Sequence, residues 1–158
     1  MAIHERSHVR LWTFQCAYAE ILAGEENAWL PLGNMMHQFF GVYRQLRAEL
    51  VTVPIFVPED VSPKQFQWAV FCAASVEYLC RKYDLQVPAW SLDERYVLAE
   101  PWYLDQIGSD LPEVQEELRE ETPEEFARRN VFCGEEPYRN KYEYQGRHRD
   151  VQDEQQIA

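Results

Sequence analysis

One glutamate and two adjacent arginines are the charged residues best placed to do chemistry in this sequence. Glu77 lies in the run Phe66–Leu79, which is otherwise almost entirely apolar, and Arg128 and Arg129 follow a short acidic helix signal. A carboxylate buried among apolar side chains must be paired or become protonated, so an arginine is its expected partner. Two hypotheses follow: an ion pair that docks the C-terminal segment onto the apolar helix, or the polar end of a ligand site.

The spacing of the two arginines predicts different roles for them. Successive residues of a helix point about 100° apart, so we expect only one of Arg128 and Arg129 to turn inward. Glu77 is the expected partner of that arginine, and Glu100 is the second choice. The other arginine should face solvent and the acidic run at 113–125.

Tryptophans supply the second set of candidate contacts. Trp29, Trp90 and Trp102 lie in proline-bearing linkers rather than on helix stripes, whereas Trp68 lies in the apolar run. An indole in a linker either closes the loop onto the core with an N–H hydrogen bond or anchors a partner or ligand. Both interpretations stay open. A ligand site would be a pocket between helices, formed by Trp68, Glu77, Trp90, Trp102, Arg128 and Arg129.

No motif in the chain predicts a catalytic residue, a metal ligand or a cofactor. The six glycines form no phosphate-binding loop, and no G-x-S-x-G elbow or C-x-x-C pair occurs. Cys72 and Cys80 are eight residues apart on one helix, about 12 Å along its axis. That separation exceeds the reach of a disulfide. We therefore expect buried free thiols there, and a reducing, cytoplasmic compartment.

Composition and charge restrict the class of partner. The chain has 158 residues, 15 of them basic and 27 acidic, and a net charge of −12. The length indicates one domain, which we place at 1–144, followed by a disordered polar tail at 145–158. The negative charge argues against direct binding to nucleic acid, and no apolar run reaches the roughly 18 residues of a membrane span. A protein partner is the remaining expectation, and the sequence indicates no oligomeric state.

Helix signals predict an all-α fold, a single small helical domain with extended linkers that carry proline and tryptophan. The strongest signal is a capping box at Ser62 and Gln65 with Pro63 between them, which opens the apolar helix. A helix without a polar face is expected at the centre of a domain. The other expected elements are a helix from Ser7 to Gly24, a helix from Pro31 or Leu32 to Glu49, an extended connector at 51–57, a capping box at Ser91 that opens a short helix to Leu98, and short helices opened by Pro112 and by a capping box at Thr122.

An ordered set of motifs resembles a family of short, uncharacterised bacterial helical proteins. The resemblance covers about residues 25–142, and its motifs are Glu26-Asn27-Ala28-Trp29, Leu32-Gly33-Asn34, the segment 68–83, Pro88-Ala89-Trp90, Glu100-Pro101-Trp102-Tyr103 and Thr122-Pro123 followed by 126–132. The resemblance implies a small accessory protein encoded beside a nucleotidyltransferase-like protein, as in toxin–antitoxin pairs. It implies no catalytic residue.

Two functional hypotheses result. The first is a cytoplasmic interaction or accessory protein, such as an antitoxin-like partner of a nucleotidyltransferase-type protein, with partner contacts at Trp29, Glu77, Trp90, Trp102, Arg128 and Arg129. Its acidic surface would complement a basic partner. The alternative is a helical protein that binds a small ligand, or an enzyme, with the pocket described above. A pocket with convergent polar atoms would favour the alternative.

Overall fold

The predicted apolar helix, Pro63–Lys82, forms the centre of the structure, a computed structural model that describes residues 11–24, 26–104 and 107–138. The Ser62 hydroxyl accepts a hydrogen bond from the main-chain N–H of Gln65, and the main-chain N–H of Ser62 donates to Oε1 of Gln65. The predicted capping box is therefore confirmed. Every residue from 69 to 77 is buried. The helix is therefore covered on several sides, as its lack of a polar face predicts.

The fold is mostly helical, which confirms the expected class. Three short helical turns and a pair of two-residue parallel strands complete the described part of the chain. The elements in chain order are α1 Phe14–Leu22, α2 Trp29–His37, a π turn Gln38–Val42, a 3-10 turn Arg44–Leu46, α3 Arg47–Thr52, α4 Pro63–Lys82, a 3-10 turn Ala89–Leu92, β1 Trp102–Tyr103, α5 Pro112–Glu121, α6 Glu124–Ala127 and β2 Val131–Phe132.

The first helix begins later than the sequence predicts. Ser7 lies outside the described residues, but residues 11–13 are not helical, and Thr13 caps α1 by accepting a hydrogen bond from the Cys16 amide. Trp12 explains the delay, because its amide donates to the Gln38 side chain and its indole donates to the Pro31 carbonyl. These bonds hold the chain extended against α2. The end of the helix is as expected, with Ala23 as the C-cap residue and Gly24 at φ +106° in the C′ position after it.

The second predicted helix is not continuous, so its expected run to Glu49 is wrong. The chain leaves helical geometry at Tyr43 (φ −121°, ψ 50°), between the π turn and the 3-10 turn. Arg47 donates to the Phe39 carbonyl at 2.8 Å and lies 4.2 Å from the centre of the Tyr83 ring. The arginine thus satisfies a carbonyl that the break leaves open. Because α3 continues to Thr52, the extended connector is also shorter than predicted.

Two other predicted capping boxes do not form. The Ser91 hydroxyl donates to the Pro88 carbonyl inside a 3-10 turn, so no helix continues from it to Leu98. The Thr122 hydroxyl donates to the Leu118 carbonyl and accepts from the Gly134 amide. It therefore joins α5 to the strand region, and α6 begins at Glu124 without a side-chain cap.

The two strands join parts of the chain that lie about 30 residues apart in sequence. The amides of Leu98, Trp102 and Leu104 donate to the carbonyls of Arg129, Asn130 and Phe132. Asn130, at φ +64°, also donates its side chain to the Leu98 carbonyl. α5 lies between these closed ends and buries a single side chain, Leu118. None of the helices within the described ranges is both long and apolar enough to cross a bilayer. The domain end at 144 and the tail at 145–158 lie outside the described residues.

Candidate functional site

Glu77 is held in the core by arginines. Its side chain is fully buried on α4, and Oε2 accepts a hydrogen bond from Nη2 of Arg128 and lies 3.6 Å from Nη2 of Arg129. Oε1 lies 3.7 Å from Nη2 of Arg81, one helical turn further along. Among the described residues no group donates a hydrogen bond to Oε1. The expected partnership between Glu77 and an inward arginine is therefore confirmed.

Arg129 is the buried member of the pair, with 3% of its surface exposed. Its Nη1 donates to the Glu125 carbonyl at 2.7 Å, and its Nη2 donates to the Ser91 carbonyl at 2.6 Å. Burial lowers its pKa and the neighbouring Glu77 carboxylate opposes that change. An arginine stays charged at any ordinary pH. Arg129 therefore connects α6, the 3-10 turn Ala89–Leu92 and α4 around the buried carboxylate of Glu77.

Arg128 corrects the predicted division of roles. Its side chain is 38% exposed, yet it makes the direct hydrogen bond to Glu77. The expectation that the outer arginine faces only solvent and the acidic run is therefore wrong, because both arginines reach the same carboxylate. The reason is local: α6 ends at Ala127, so the arginines lie in the turn that follows rather than on a regular helix. Glu100 is exposed and takes no part. This is the geometry of an internal clamp.

The tryptophans form a separate feature, a solvent-accessible cavity of about 210 Å³ walled by Trp29, Trp68 and Trp102. The Trp68 ring stands at 86° to that of Trp29 and at 84° to that of Trp102, with ring centres 5.6 and 5.1 Å apart. The three indoles thus line the cavity with the Trp68 ring nearly perpendicular to the other two. We call this the tryptophan cavity. Trp29 is 44% exposed at its edge and is the first residue of α2, not part of a linker as expected.

The segment after β2 forms one wall of the tryptophan cavity. Cys133 is buried there and Glu136 is exposed near the surface, with Leu104 and Pro137 completing the lining. Burial raises the pKa of the Cys133 thiol to about 12, so it is uncharged at neutral pH. No motif in the sequence indicates this wall, because the segment has the composition of a polar end of the domain.

Buried Tyr138 fixes that segment in place. Its hydroxyl hydrogen-bonds the Ser75 hydroxyl at 2.8 Å, 63 residues away in sequence. Its ring centre lies 5.7 Å from that of Phe71 and 6.4 Å from that of Trp29. Burial also raises the pKa of Tyr138 well above its ordinary value. The one sequence signal was an aromatic residue among polar neighbours.

The six residues predicted to line one pocket fall into three separate places: the clamp of Glu77 with Arg128 and Arg129, the cavity with Trp68 and Trp102, and Trp90. Trp68 and Glu77 are nine residues apart on α4, which places them about 13 Å apart along the axis and on opposite sides of the helix. Trp90 lies elsewhere, donating its indole N–H to the Val51 carbonyl at 3.0 Å. It is a plug of the kind one interpretation anticipated. The cavity therefore contains indoles without the arginine clamp.

α5 presents a row of carboxylates to solvent. All five of its glutamates are exposed, and within the described residues none of them forms a salt bridge. Arg119, the one base on α5, lies over the rings of Tyr103 and Phe132, 5.5 and 5.9 Å from their centres. The surface of α5 is therefore strongly negative. These glutamates are Glu113, Glu116, Glu117, Glu120 and Glu121.

The thiols are those that the spacing predicts. Cys72 and Cys80 are buried and free, and so is Cys133, while Cys16 is free and half-buried. Burial raises the pKa of Cys80 to about 11. No group of three or more His, Cys, Asp or Glu side chains in the described ranges is arranged to hold a metal ion.

Comparison of the chain with protein-family models, with curated proteins and with solved structures finds no match.

Proposed function

We propose that this chain is an interaction protein that binds a basic protein partner through the acidic surface of α5. The observation that carries the proposal is the row of five exposed glutamates without a paired base among the described residues. A surface of one sign speeds the encounter with a partner of opposite sign and fixes its orientation.

Repulsion within α5 adds to this argument. Glu113 and Glu117, Glu116 and Glu120, and Glu117 and Glu121 are each four residues apart, where side chains on a helix are neighbours. Like charges at this spacing destabilise a helix by about 0.2–0.5 kcal/mol a pair. Basic groups of a partner would relieve that repulsion. The relief would make the free energy of binding more favourable.

The resemblance to short bacterial helical proteins supports a more specific proposal for the partner. The family's setting suggests a nucleotidyltransferase-type protein, toward which this chain would act as an antitoxin-like accessory subunit. Enzymes that act on nucleic acid carry a basic rim to hold phosphates, and α5 offers the complementary charge. We place the complex in the cytoplasm, because the cysteines are free thiols.

The test is co-purification with the tagged protein from the cells that produce it, at low and moderate salt. A partner in stoichiometric amount is expected with the natural sequence. It should be lost when Glu116, Glu117 and Glu120 are all replaced by glutamine. The matched control replaces three exposed glutamates on other parts of the surface, Glu20, Glu49 and Glu59, and should keep the partner. Recovery of no stoichiometric partner, or equal recovery with both variants, would refute the proposal.

A second function, binding of a small ligand, is favoured by one specific observation. The tryptophan cavity offers about 210 Å³ of space open to solvent, and a cavity of about 150 Å³ is enough to hold a benzene molecule. Three indoles give such a site a large apolar and π surface. The two functions use different surfaces and can be tested separately.

A further inference from the structure

We propose that the tryptophan cavity is a binding site for a quaternary ammonium group. The inference rests on the second proposed function, ligand binding in this cavity, and names the chemical class of its ligand. The walls of the cavity determine that class.

The indole walls favour a cation. Trp29, Trp68 and Trp102 all line the cavity, and the Trp68 ring stands nearly at right angles to the other two rings. A group inside the cavity therefore contacts more than one indole. The face of an indole is electron-rich and attracts a cation, more strongly when water is excluded. Several aromatic walls around one space are the arrangement by which proteins recognise quaternary ammonium groups.

In the described part of the chain, only two lining side chains, those of Cys133 and Glu136, can accept a hydrogen bond, and this selects among cations. A lysine-type ammonium is strongly hydrated and carries N–H donors that must find acceptors. The described lining offers a neutral thiol at Cys133 and a carboxylate at Glu136, the latter at the exposed edge. A quaternary nitrogen has no N–H to satisfy, so it loses less on entering such a cavity.

The charge at the mouth agrees with this choice. The lining contains no lysine or arginine among the described residues, and its one ionisable carboxylate is Glu136. A positively charged head group without an acid of its own is therefore preferred over a zwitterion such as betaine. Choline has this chemistry, and so does the side chain of trimethyl-lysine.

The test compares choline with dimethylbutanol, its uncharged analogue in which carbon replaces nitrogen, by NMR titration of the full chain. Choline should bind at least about tenfold more tightly, because only the charged compound gains the cation–π attraction of the indole rings. The indole N–H signals of Trp29, Trp68 and Trp102 should shift, while that of Trp90 should not. A peptide with trimethyl-lysine, compared with its unmodified form, tells whether the group belongs to a protein or to a small molecule.

Trp29→Leu keeps an apolar wall but removes one π face, at a position that is already 44% exposed. Choline affinity should fall by about tenfold, while affinity for dimethylbutanol should change by less than about twofold. Trp90→Leu is the matched control and should leave both affinities unchanged, with circular dichroism reporting the folding of each variant.

Three results would overturn the inference. Equal affinity for choline and dimethylbutanol would leave the cavity a ligand site but remove its preference for a cation. Binding of neither compound would remove the second proposed function as well. Shifts confined to indoles outside the cavity would place the ligand elsewhere. None of these results bears on α5, so the two proposed functions fail or stand independently.

Discussion

Replacing Arg129 with alanine is expected to destabilise the protein more than replacing Arg128, although Arg128 makes the direct hydrogen bond to Glu77. The two side chains differ in burial, with 4% of the Arg129 side chain exposed against 38% of that of Arg128. Removing one partner of a buried ion pair costs about 3–5 kcal/mol when the other charge is left unpaired. Arg128 would still pair with Glu77 after Arg129→Ala, but this change also removes the donor to two main-chain carbonyls. We expect a loss in that range for Arg129→Ala.

The main-chain contacts of Arg129 support this magnitude. Alanine would leave the carbonyls of Ser91 and Glu125 without their arginine donor, and each carbonyl left without a partner inside the protein costs about 1–3 kcal/mol. Arg128→Ala removes one charge-assisted hydrogen bond, but Arg129 and Arg81 stay within 3.7 Å of the carboxylate. Water can also reach the vacated position, so the expected cost is about 1–2 kcal/mol.

Urea unfolding followed by tryptophan fluorescence measures these differences as shifts in midpoint at constant slope. Arg81→Ala is the matched control, because its side chain is 51% exposed and its pairs are loose; we expect about 0–1 kcal/mol. Arg129→Lys keeps the charge but loses the planar fork, so its cost should fall between those of Arg81→Ala and Arg129→Ala. If Arg128→Ala costs as much as Arg129→Ala, burial does not decide the strength of this clamp and the reasoning is wrong.

Three further predictions concern other parts of the structure. Burial raises the pKa of Cys133 from 9.0 to about 12, so its contribution to the free energy of unfolding should be constant below pH 9 and then fall as pH rises toward 12, by up to about 1.4 kcal/mol per pH unit. Urea midpoints of Cys133→Ala should therefore fall less steeply with pH than those of the natural sequence, and an equal fall would contradict the assignment. Glu117→Lys replaces repulsion by attraction toward Glu113 and Glu121 and should raise the free energy of unfolding by about 0.8–2 kcal/mol, whereas a lower thermal midpoint would count against repulsion in α5. Trp90→Phe removes an indole hydrogen bond to a main-chain carbonyl and should cost about 1–3 kcal/mol in urea unfolding; no change would mean that this plug contributes nothing.

Local signals in the sequence predicted the central helix and the charge partnership. The capping box at Ser62 depends only on two residues three positions apart, and both of its hydrogen bonds form in the structure. The pairing of Glu77 followed from a chemical requirement, because a buried carboxylate needs a cation wherever the chain brings one. The carbonyl partners of Arg129 could not be predicted, since they depend on a turn whose position is set by tertiary packing.

The missed features have physical causes of two kinds. The break at Tyr43 is tertiary: the apolar stripe continues through it, and a distant tyrosine and an arginine stabilise the open turn. The false grouping of Trp68 with Glu77 was avoidable, because nine residues on a helix place two side chains on opposite faces. The wall at Cys133 and Glu136 depends on the bond between Tyr138 and Ser75, and no local pattern indicates a contact over that distance.

The segment that carries α5 can change its binding preference without a change in the rest of the fold. Main-chain hydrogen bonds from Leu98, Trp102 and Leu104 join its two ends, and α5 itself contributes only Leu118 to the interior. Substitutions on the outer face of α5 therefore leave the core untouched, and doubling the length of such a loop costs only about 0.6 kcal/mol. A lineage could exchange this segment to follow a changing partner while α4 and everything packed around it stayed the same.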